Sequence, residues 1–203
     1  GYGVFAVEVD SARPNIIWAG TGEGILLKSQ DYGESWKLVQ EFGSPIQYLV
    51  IDTRNSSRMF VRSFNGNIFS SADGGTTWVD ESEALAEFPN ARAISALVYN
   101  NINGRLYLAT RFGILESADF GINWKAVEVI FPNDVLPVLN LAFAGKNSQE
   151  IYASANNLVY TSKDGGKFWQ VRRLGTVRKI RVLWIDPKNE NRIIVGAGKA
   201  GWK

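Results

Sequence analysis

The eight residues SADGGTTW, from Ser71 to Trp78, place two adjacent glycines between an aspartate and a tryptophan. The pattern S-x-D-x-G-x-x-W occurs three more times, as SQDYGESW at 29–36, SADFGINW at 117–124 and SKDGGKFW at 162–169. The first serines of these four boxes are separated by 42, 46 and 45 residues. A repeat of this length is typical of the blades of a β-propeller.

The similarity extends upstream of each box. VFAVEVDSARPNIIWAGTGEGILLKS at 4–29 aligns with IQYLVIDTRNSSRMFVRSFNGNIFSS at 46–71, and two later segments follow the same plan. Short segments rich in Val, Ile, Leu, Tyr and Phe predict strands. A fifth copy, at 180–203, has two such segments but no box. We therefore predict an all-β propeller with four complete four-stranded blades, strands A to D, and an incomplete fifth.

The repeat also sets the expected domain organisation. We expect a single propeller domain or propeller fragment over residues 1–203, with blades at about 4–42, 45–80, 92–130 and 137–175 and a partial blade at 178–203. Closed propellers complete every blade, so the missing half predicts either a longer native chain or a partner at the open edge. Helix-forming residues at 81–88 precede Pro89 and predict one short helical turn.

The residue types of the box predict a hairpin turn between strands C and D. The Ser and Asp side chains can form hydrogen bonds with backbone groups of the turn, and the Gly can take a positive φ. The Trp side chain is expected to fold back as a buried wedge that packs the hairpin against its blade. A phosphate loop would lead into a helix, and a calcium loop would need more than one carboxylate. The predicted structural residues are Ser29, Asp31, Gly33, Trp36, Ser71, Asp73, Gly75, Trp78, Ser117, Asp119, Gly121, Trp124, Ser162, Asp164, Gly166 and Trp169.

Composition excludes several classes of function. The chain has no cysteine and no histidine, which excludes disulfides, thiol nucleophiles, Cys/His zinc sites and Ser-His-Asp triads. A formal net charge of +2 is too small to argue for nucleic acid. No apolar run approaches the roughly 18 residues of a membrane span. We expect no metal and no cofactor.

The four boxes resemble the Asp-box, also called the BNR repeat, of sialidases, propeller xyloglucanases, sortilin-like receptors and photosystem II assembly-factor-like propellers. The resemblance covers essentially the whole chain and implies a native ring of six to eight blades. In that superfamily the box generally lies away from the catalytic face. Within this superfamily the chain most resembles the assembly-factor-like proteins, which are single propellers without catalytic activity.

This resemblance implies two alternative functions. The favoured one is a non-enzymatic protein-interaction or assembly scaffold. The alternative is a carbohydrate-active protein, either a sialidase-like glycoside hydrolase or a glycan-binding propeller. The Arg-Ile-Pro stretch of sialidases does not occur here, and the sequence cannot pair free carboxylates such as Glu23, Glu81 and Asp134 as a hydrolase would need. We expect a protein partner or the rest of the same chain, with a glycan as the alternative, and an extracytoplasmic location.

The predicted recognition surface lies opposite the boxes, where the B–C loops differ from blade to blade. The residues expected there are Glu23, Arg111, Phe112 and Lys199. The segment VRRLGTVRKIR at 171–181 adds Arg172, Arg173, Arg178 and Arg181, which form either a patch for an anionic partner or a half-exposed strand pair. Aligning the repeats also places Phe5, Gln47, Ser95, Leu139 and Arg181 in one column of strand A, which predicts a mixed polar channel lining.

Overall fold

A computed structural model of the chain describes residues 3–129, 137–144, 149–186 and 188–198. These residues form eighteen strands, arranged as four four-stranded antiparallel sheets and one two-stranded sheet. Within these ranges the only helical element is one 3₁₀ turn. The predicted all-β class is therefore confirmed.

In each four-stranded sheet the strands pair in chain order, each antiparallel to the next. The first sheet contains β1 (Val4–Val9), β2 (Ile17–Thr21), β3 (Ile25–Ser29) and β4 (Lys37–Glu41). The second contains β5 (Ile46–Ile51), β6 (Met59–Ser63), β7 (Ile68–Ser71) and β8 (Val79–Asp80). The third contains β9 (Ile94–Asn100), β10 (Arg105–Thr110), β11 (Ile114–Ser117) and β12 (Lys125–Val127). The fourth contains β13 (Asn140–Phe143), β14 (Ile151–Ala155), β15 (Leu158–Ser162) and β16 (Gln170–Arg173).

The fifth sheet is a hairpin of β17 (Lys179–Asp186) and β18 (Asn189–Gly198). It matches the fifth repeat, which has only two strand-like segments. The helical turn predicted at 81–88 is the 3₁₀ turn Ser82–Leu85, which follows the second sheet and buries Leu85.

The chain divides into two compact units. The first runs to Ala86 and includes the hairpin segment Ala118–Asn123; the second comprises Glu87–Ser117 and the described residues from Trp124 onward. In the first unit, Trp18 and Leu26 of the first sheet pack with Ile46, Leu49 and Met59 of the second. Alternate residues of each strand make this core, because successive side chains point to opposite faces of a sheet.

The second unit has two cores. Tyr107 and Ile114 of the third sheet pack with Leu141 and Ile151 of the fourth. Tyr152 and Val159 also belong to the fourth sheet but lie in a separate core, where they pack with Ile180 and Leu183 of the final hairpin. Each sheet in the series thus covers the next within its unit.

The pairing register places β-bulges at four of the five positions in the aligned strand A column; the fifth, Leu139, precedes β13 and stands at no register shift. Register shifts occur between Val4 and Ala6, between Ile46 and Tyr48, and between Ile180 and Val182. The extra residues are Phe5, Gln47 and Arg181, and Ser95 stands at the corresponding shift in the third sheet. The extra residue of a bulge does not follow the regular alternation of side chains between the two faces of the sheet. These residues therefore occupy the same bulge position in their respective sheets.

The A–B turns use a second repeated device. Asp10 and Asp52 follow the first strand of their sheets, are 1% and 2% exposed, and accept hydrogen bonds from the turn amides of Ala12 and Arg54. Asn100 and Asp186 do the same for Ile102 and Lys188. Short polar side chains that bond the backbone two residues on fix such turns.

Candidate functional site

The first two boxes share one hydrogen-bonding pattern. The Ser29 hydroxyl donates to Asp31 Oδ1 over 2.7 Å and accepts the Gly33 amide over 2.8 Å. Asp31 Oδ1 also accepts the Ser35 amide over 2.9 Å, and Trp36 Nε1 donates to the Gly33 carbonyl over 3.0 Å. Every polar group named here is used inside the turn.

The second box repeats this geometry. The Ser71 hydroxyl donates to Asp73 Oδ1 and accepts the Gly75 amide, both over 2.9 Å. Asp73 also accepts the Thr77 amide at 2.9 Å and the Thr77 hydroxyl at 2.6 Å. Trp78 Nε1 donates to the Gly75 carbonyl over 3.1 Å.

The third and fourth boxes contain the same kinds of bond. Asp119 accepts the Asn123 backbone amide over 2.9 Å. Ser162 bonds Asp164 over 2.9 Å and the Gly166 amide over 2.8 Å.

These bonds hold the box carboxylates in the ionised form. The Ser35 hydroxyl, followed by the Ser35 amide, lowers the pKa of Asp31 to about 2. The Thr77 hydroxyl and amide do the same for Asp73, whose pKa is also about 2. The Phe168 amide lowers the pKa of Asp164. A carboxylate that stays ionised to such low pH is a poor general acid.

Three of the four box glycines, Gly75, Gly121 and Gly166, lie against residues of the preceding sheet. A Cβ on Gly75 would stand 2.6 Å from Trp18 Cη2, and a Cβ on Gly121 would stand 2.5 Å from Phe60 Cε2. A Cβ on Gly166 would stand 2.6 Å from Val127 Cγ1. All three glycines also have positive φ, so both conformation and space require glycine there.

The prediction that all four box tryptophans are buried wedges is wrong for Trp36, which is 40% exposed. Trp124 is 4% exposed, and Trp78 and Trp169 are half-buried. Trp169 Nε1 donates over 2.9 Å to the carbonyl of Glu128, the residue that follows β12. The first box has no preceding sheet among the described residues, which accounts for the greater exposure of Trp36.

The residues predicted for recognition fall in separate places. Glu23 is exposed in the β2–β3 turn of the first unit. Arg111 is exposed and Phe112 is half-buried in the β10–β11 turn of the second unit, where Phe112 meets Phe88 edge-on with ring centroids 5.3 Å apart. Lys199 lies outside the described residues.

The four arginines of the basic segment are all exposed. Arg172 and Arg173 are consecutive residues of β16, so they point to opposite faces of the fourth sheet. Arg178 is exposed in the connection to β17, and Arg181 is exposed at the bulge of that strand. The structure therefore does not gather the four arginines on a single strand face; Arg172 lines one of the clefts described next.

The clefts among the described residues include three that are large enough to hold a ligand group. A groove of about 630 Å³ runs beside β18 in the second unit and has Arg172 in its lining. A cleft of about 400 Å³ in the first unit is lined by Lys28, Lys37 and the backbone of the second box. A cleft of about 250 Å³ in the second unit contains Arg105, Glu116 and Asp164. None was predicted from the sequence, because each depends on how neighbouring sheets meet.

Arg62 of β6 is a buried cation that sequence analysis did not single out. It is 5% exposed, and its Nε has no hydrogen-bond partner among the described residues. Its Cζ lies 6.0 Å from the ring centroid of Tyr48 on the paired strand. Burial lowers the pKa of Arg62, because removing water disfavours the charged form.

Two further features, a metal-binding cluster and a membrane-spanning helix, are both lacking in the described ranges. Among those residues, no group of three or more Asp, Glu, His or Cys side chains is arranged to hold a metal ion. The same residues include no helix whose length and hydropathy would allow it to cross a membrane.

The sequence is similar to parts of known xyloglucanases. It is 24% identical to a xyloglucanase from a Paenibacillus species over 99% of this chain and 20% of the relative. A probable oligoxyloglucan-reducing end-specific xyloglucanase from Neosartorya fischeri is 29% identical over 46% of this chain and 12% of the relative. The chain thus spans a fifth or less of the length of these relatives. No family model matches the sequence.

Solved structures share the fold at low sequence identity. The glycoside hydrolase family 74 xyloglucanase from Xanthomonas campestris has a TM-score of 0.75 at 18% identity, covering 95% of this chain and 35% of that one. YCF48 from Cyanidioschyzon merolae has a TM-score of 0.63 at 20% identity, covering 91% and 60%. The extracellular domain of BT4673 from B. thetaiotaomicron has a TM-score of 0.69 at 14% identity, covering 96% and 26%. Together with the four-stranded sheets, these likenesses establish the predicted β-propeller fold.

Proposed function

We propose that this chain is part of a β-propeller that binds another protein and catalyses no reaction, an interaction or assembly scaffold. The observation that carries this proposal is the chemistry of its clefts. The grooves of about 630 and 400 Å³ are lined by apolar side chains, amides and cations, without a carboxylate among the described residues.

The cleft of about 250 Å³ contains carboxylates that are already engaged. Glu116 Oε1 forms an ion pair with Arg105 over 2.7 Å, and Asp164 accepts bonds from Ser162 and the Phe168 amide. Glycoside hydrolysis generally needs two carboxyl groups that are free to act on the scissile bond as acid and as base or nucleophile. Carboxylates committed to turn and strand contacts are poorly placed for that work.

We also infer that the four boxes are Asp-boxes in the family sense and that residues 1–203 belong to one propeller with the blades given above. The support is the repeated Ser–Asp–Gly hydrogen bonding, which uses the box to build a turn in each sheet. In this proposal the boxes are structural, and recognition uses blade-specific residues such as Glu23, Arg111, Phe112 and the arginines of β16.

A carbohydrate-active function is the second candidate. The observation that favours it is the similarity of the sequence to xyloglucanases at 24–29% identity. In that case a complete site would require carboxylates from outside the residues described above. An extracytoplasmic location is proposed for either function, in keeping with the extracellular domain found among the similar structures.

A turnover assay separates the two candidates. The chain is incubated with xyloglucan oligosaccharides and a panel of sialylated glycans, and new reducing ends and free sialic acid are measured. We expect release no faster than in buffer. Turnover proportional to protein concentration and lost with the folded state would overturn the scaffold proposal.

The partner surface is tested by charge reversal. Arg172→Glu with Arg173→Glu is compared with Lys163→Glu and Lys167→Glu, which are exposed positions in the box of the same sheet. Affinity capture of a protein partner should be lost only with the first pair, and capture by the native chain should weaken with salt because exposed charges are screened beyond about 8–10 Å. Equal capture of the partner by the two double variants would show that β16 lies outside the interface.

A further inference from the structure

Two lysines stand directly opposite each other in the first sheet. Lys28 of β3 pairs with Lys37 of β4, so their side chains leave the same face of the sheet, with Cβ atoms about 5 Å apart. Like charges at directly opposed positions destabilise a sheet. Neither ammonium group forms a salt bridge with a carboxylate of the described residues. The pair is therefore a concentration of positive charge that costs the sheet stability.

The other complete sheets carry no such pair at the same two positions. These positions are the residue before the box serine and the residue after the box tryptophan, and they pair in all four complete sheets. The pairs are Ser70 with Val79 in the second sheet, Glu116 with Lys125 in the third and Thr161 with Gln170 in the fourth. Two of these pairs are uncharged and the other joins opposite charges. The repeated sheet thus does not require the two cations of the first sheet.

Both lysines line the cleft of about 400 Å³, which lies between the first sheet and the second box. All of its lining residues belong to the first unit. The volume is within the usual range for a ligand pocket. Its lining includes Gln30 and Leu38, which are both exposed, and among the described residues it contains no carboxylate. The cleft therefore combines positive charge with apolar surface that a ligand can reach.

The surroundings of Lys28 leave its charge available. Its Nζ lies 4.6 Å from the ring centroid of Trp18. Burial, followed by the charge of Arg13, lowers the pKa of Lys28, and Asp10 acts in the opposite direction. Asp10 is itself engaged by Arg13, whose Nη2 lies 2.8 Å from Asp10 Oδ2. Since Arg13 and Asp10 neutralise each other, the positive charge of Lys28 can serve a ligand.

The indole N–H of Trp18 is a further donor in the lining of this cleft. The indoles of Trp36, Trp78 and Trp169 donate to the glycine carbonyl of their own boxes. Trp18 is 3% exposed, and its Nε1 donates to no acceptor among the described residues. Buried indoles usually have a hydrogen-bond partner. An acceptor atom of a ligand in the cleft would supply one.

We propose that Lys28, Lys37 and Trp18 form a binding site for a phosphate monoester group, whose charge the two ammonium groups neutralise and whose oxygen accepts the indole proton. A phosphate monoester carries close to two negative charges at neutral pH, which matches two cations. Lysine binds phosphate as a point charge, whereas carboxylates favour the planar fork of arginine. Leu38 and Val39 in the lining would contact the organic part of the ester. The site uses none of the residues proposed above for partner recognition.

Binding is measured by an NMR titration that follows the indole N–H signal of Trp18, with sodium chloride holding the ionic strength constant. The probes are inorganic phosphate, phenyl phosphate and glucose 6-phosphate. We expect a saturable shift of the signal, and Lys28→Gln and Lys37→Gln should each weaken binding about tenfold by removing one of the two charges. Lys125→Gln, at the position of Lys37 in the third sheet, is the matched control and should leave binding unchanged. Thermal melts of all variants control for folding.

The order of the probes identifies the source of the phosphate. Tighter binding of phenyl phosphate than of glucose 6-phosphate would indicate a phosphorylated aromatic side chain, the reverse order a sugar phosphate, and equal binding of all three a site for the phosphate alone. Three results would overturn the site: no saturable shift with any probe, undiminished binding by a variant lacking both lysines, or equal weakening by Lys37→Gln and Lys125→Gln. The turnover assay above tests the scaffold proposal separately, so the two hypotheses fail independently.

Discussion

The indole of Trp18 lies directly against Gly75, so that a Cβ on the glycine would stand 2.6 Å from Cη2 of the ring. Trp18 belongs to β2 and is 3% exposed, and Gly75 belongs to the box of the second sheet. The glycine of the repeated motif thus serves two purposes. It takes a positive φ of 82°, and it lets the turn approach the neighbouring sheet closely.

Gly75→Ala should destabilise the first unit by about 2–4 kcal/mol, because a positive φ and an overpacked contact are combined. Gly74→Ala is the matched control: its φ is 71°, but a Cβ there would meet nothing within 4 Å. The Gly74→Ala substitution should lower the free energy of unfolding by about 1 kcal/mol. Urea unfolding of both variants measures the difference in their free energies of unfolding. Equal losses in the two variants would show that the close contact with Trp18 adds no destabilisation.

The acid dependence of stability should report on the box carboxylates. The pKa of Asp73 is lowered from 3.8 to about 2, chiefly by the Thr77 hydroxyl and amide. A lowered native pKa stabilises the folded state above pH 3.8, and that contribution is lost as the pH falls towards 2. Asp73→Asn should therefore flatten the pH dependence of the urea midpoint in this range. Glu41→Gln, at an exposed position of β4, is the control, and identical profiles for both variants would contradict the prediction.

The sequence predicted the boxes well because their bonds are local. Ser29, Asp31 and Gly33 lie within five residues, so the turn that they form depends little on the rest of the chain. The Asp or Asn after strand A was also visible, as Asp10, Asp52, Asn100 and Asp186 stand at the same place in four repeats. These residues are expected in the A–B turns, and the structure adds their hydrogen bonds to the backbone amide two residues on.

Features that depend on neighbouring sheets could not be predicted. Trp36 and Trp124 occupy the same position of the motif, yet one is 40% and the other 4% exposed. The groove beside β18 likewise depends on how the final hairpin meets the fourth sheet. A repeat alignment treats all copies alike, whereas burial depends on what stands next to each copy.

This difference in burial gives a direct mutational test. Trp124→Ala should cost about 3–5 kcal/mol, because removing a buried indole leaves a cavity. Trp36→Ala should cost about 1 kcal/mol, since much of that ring already contacts water. Denaturant unfolding followed by far-UV circular dichroism compares the two. A loss at Trp36 as large as that at Trp124 would mean that another chain or segment covers the first box in solution.

Arg62 and Arg58 provide the last prediction, because both cations contact an aromatic ring but only one has a carboxylate partner among the described residues. Arg58 pairs with the buried Asp52 over 3.4 Å, whereas Arg62 is 5% exposed and its Nε is unpaired. Arg62→Met should therefore leave the free energy of unfolding unchanged or raise it by about 1 kcal/mol, since an apolar side chain removes a desolvation penalty. Arg58→Met should lower the free energy of unfolding by about 1–3 kcal/mol, because it removes the cation that pairs with the buried Asp52. A large loss at Arg62, measured by urea unfolding, would reveal an anionic partner for that guanidinium.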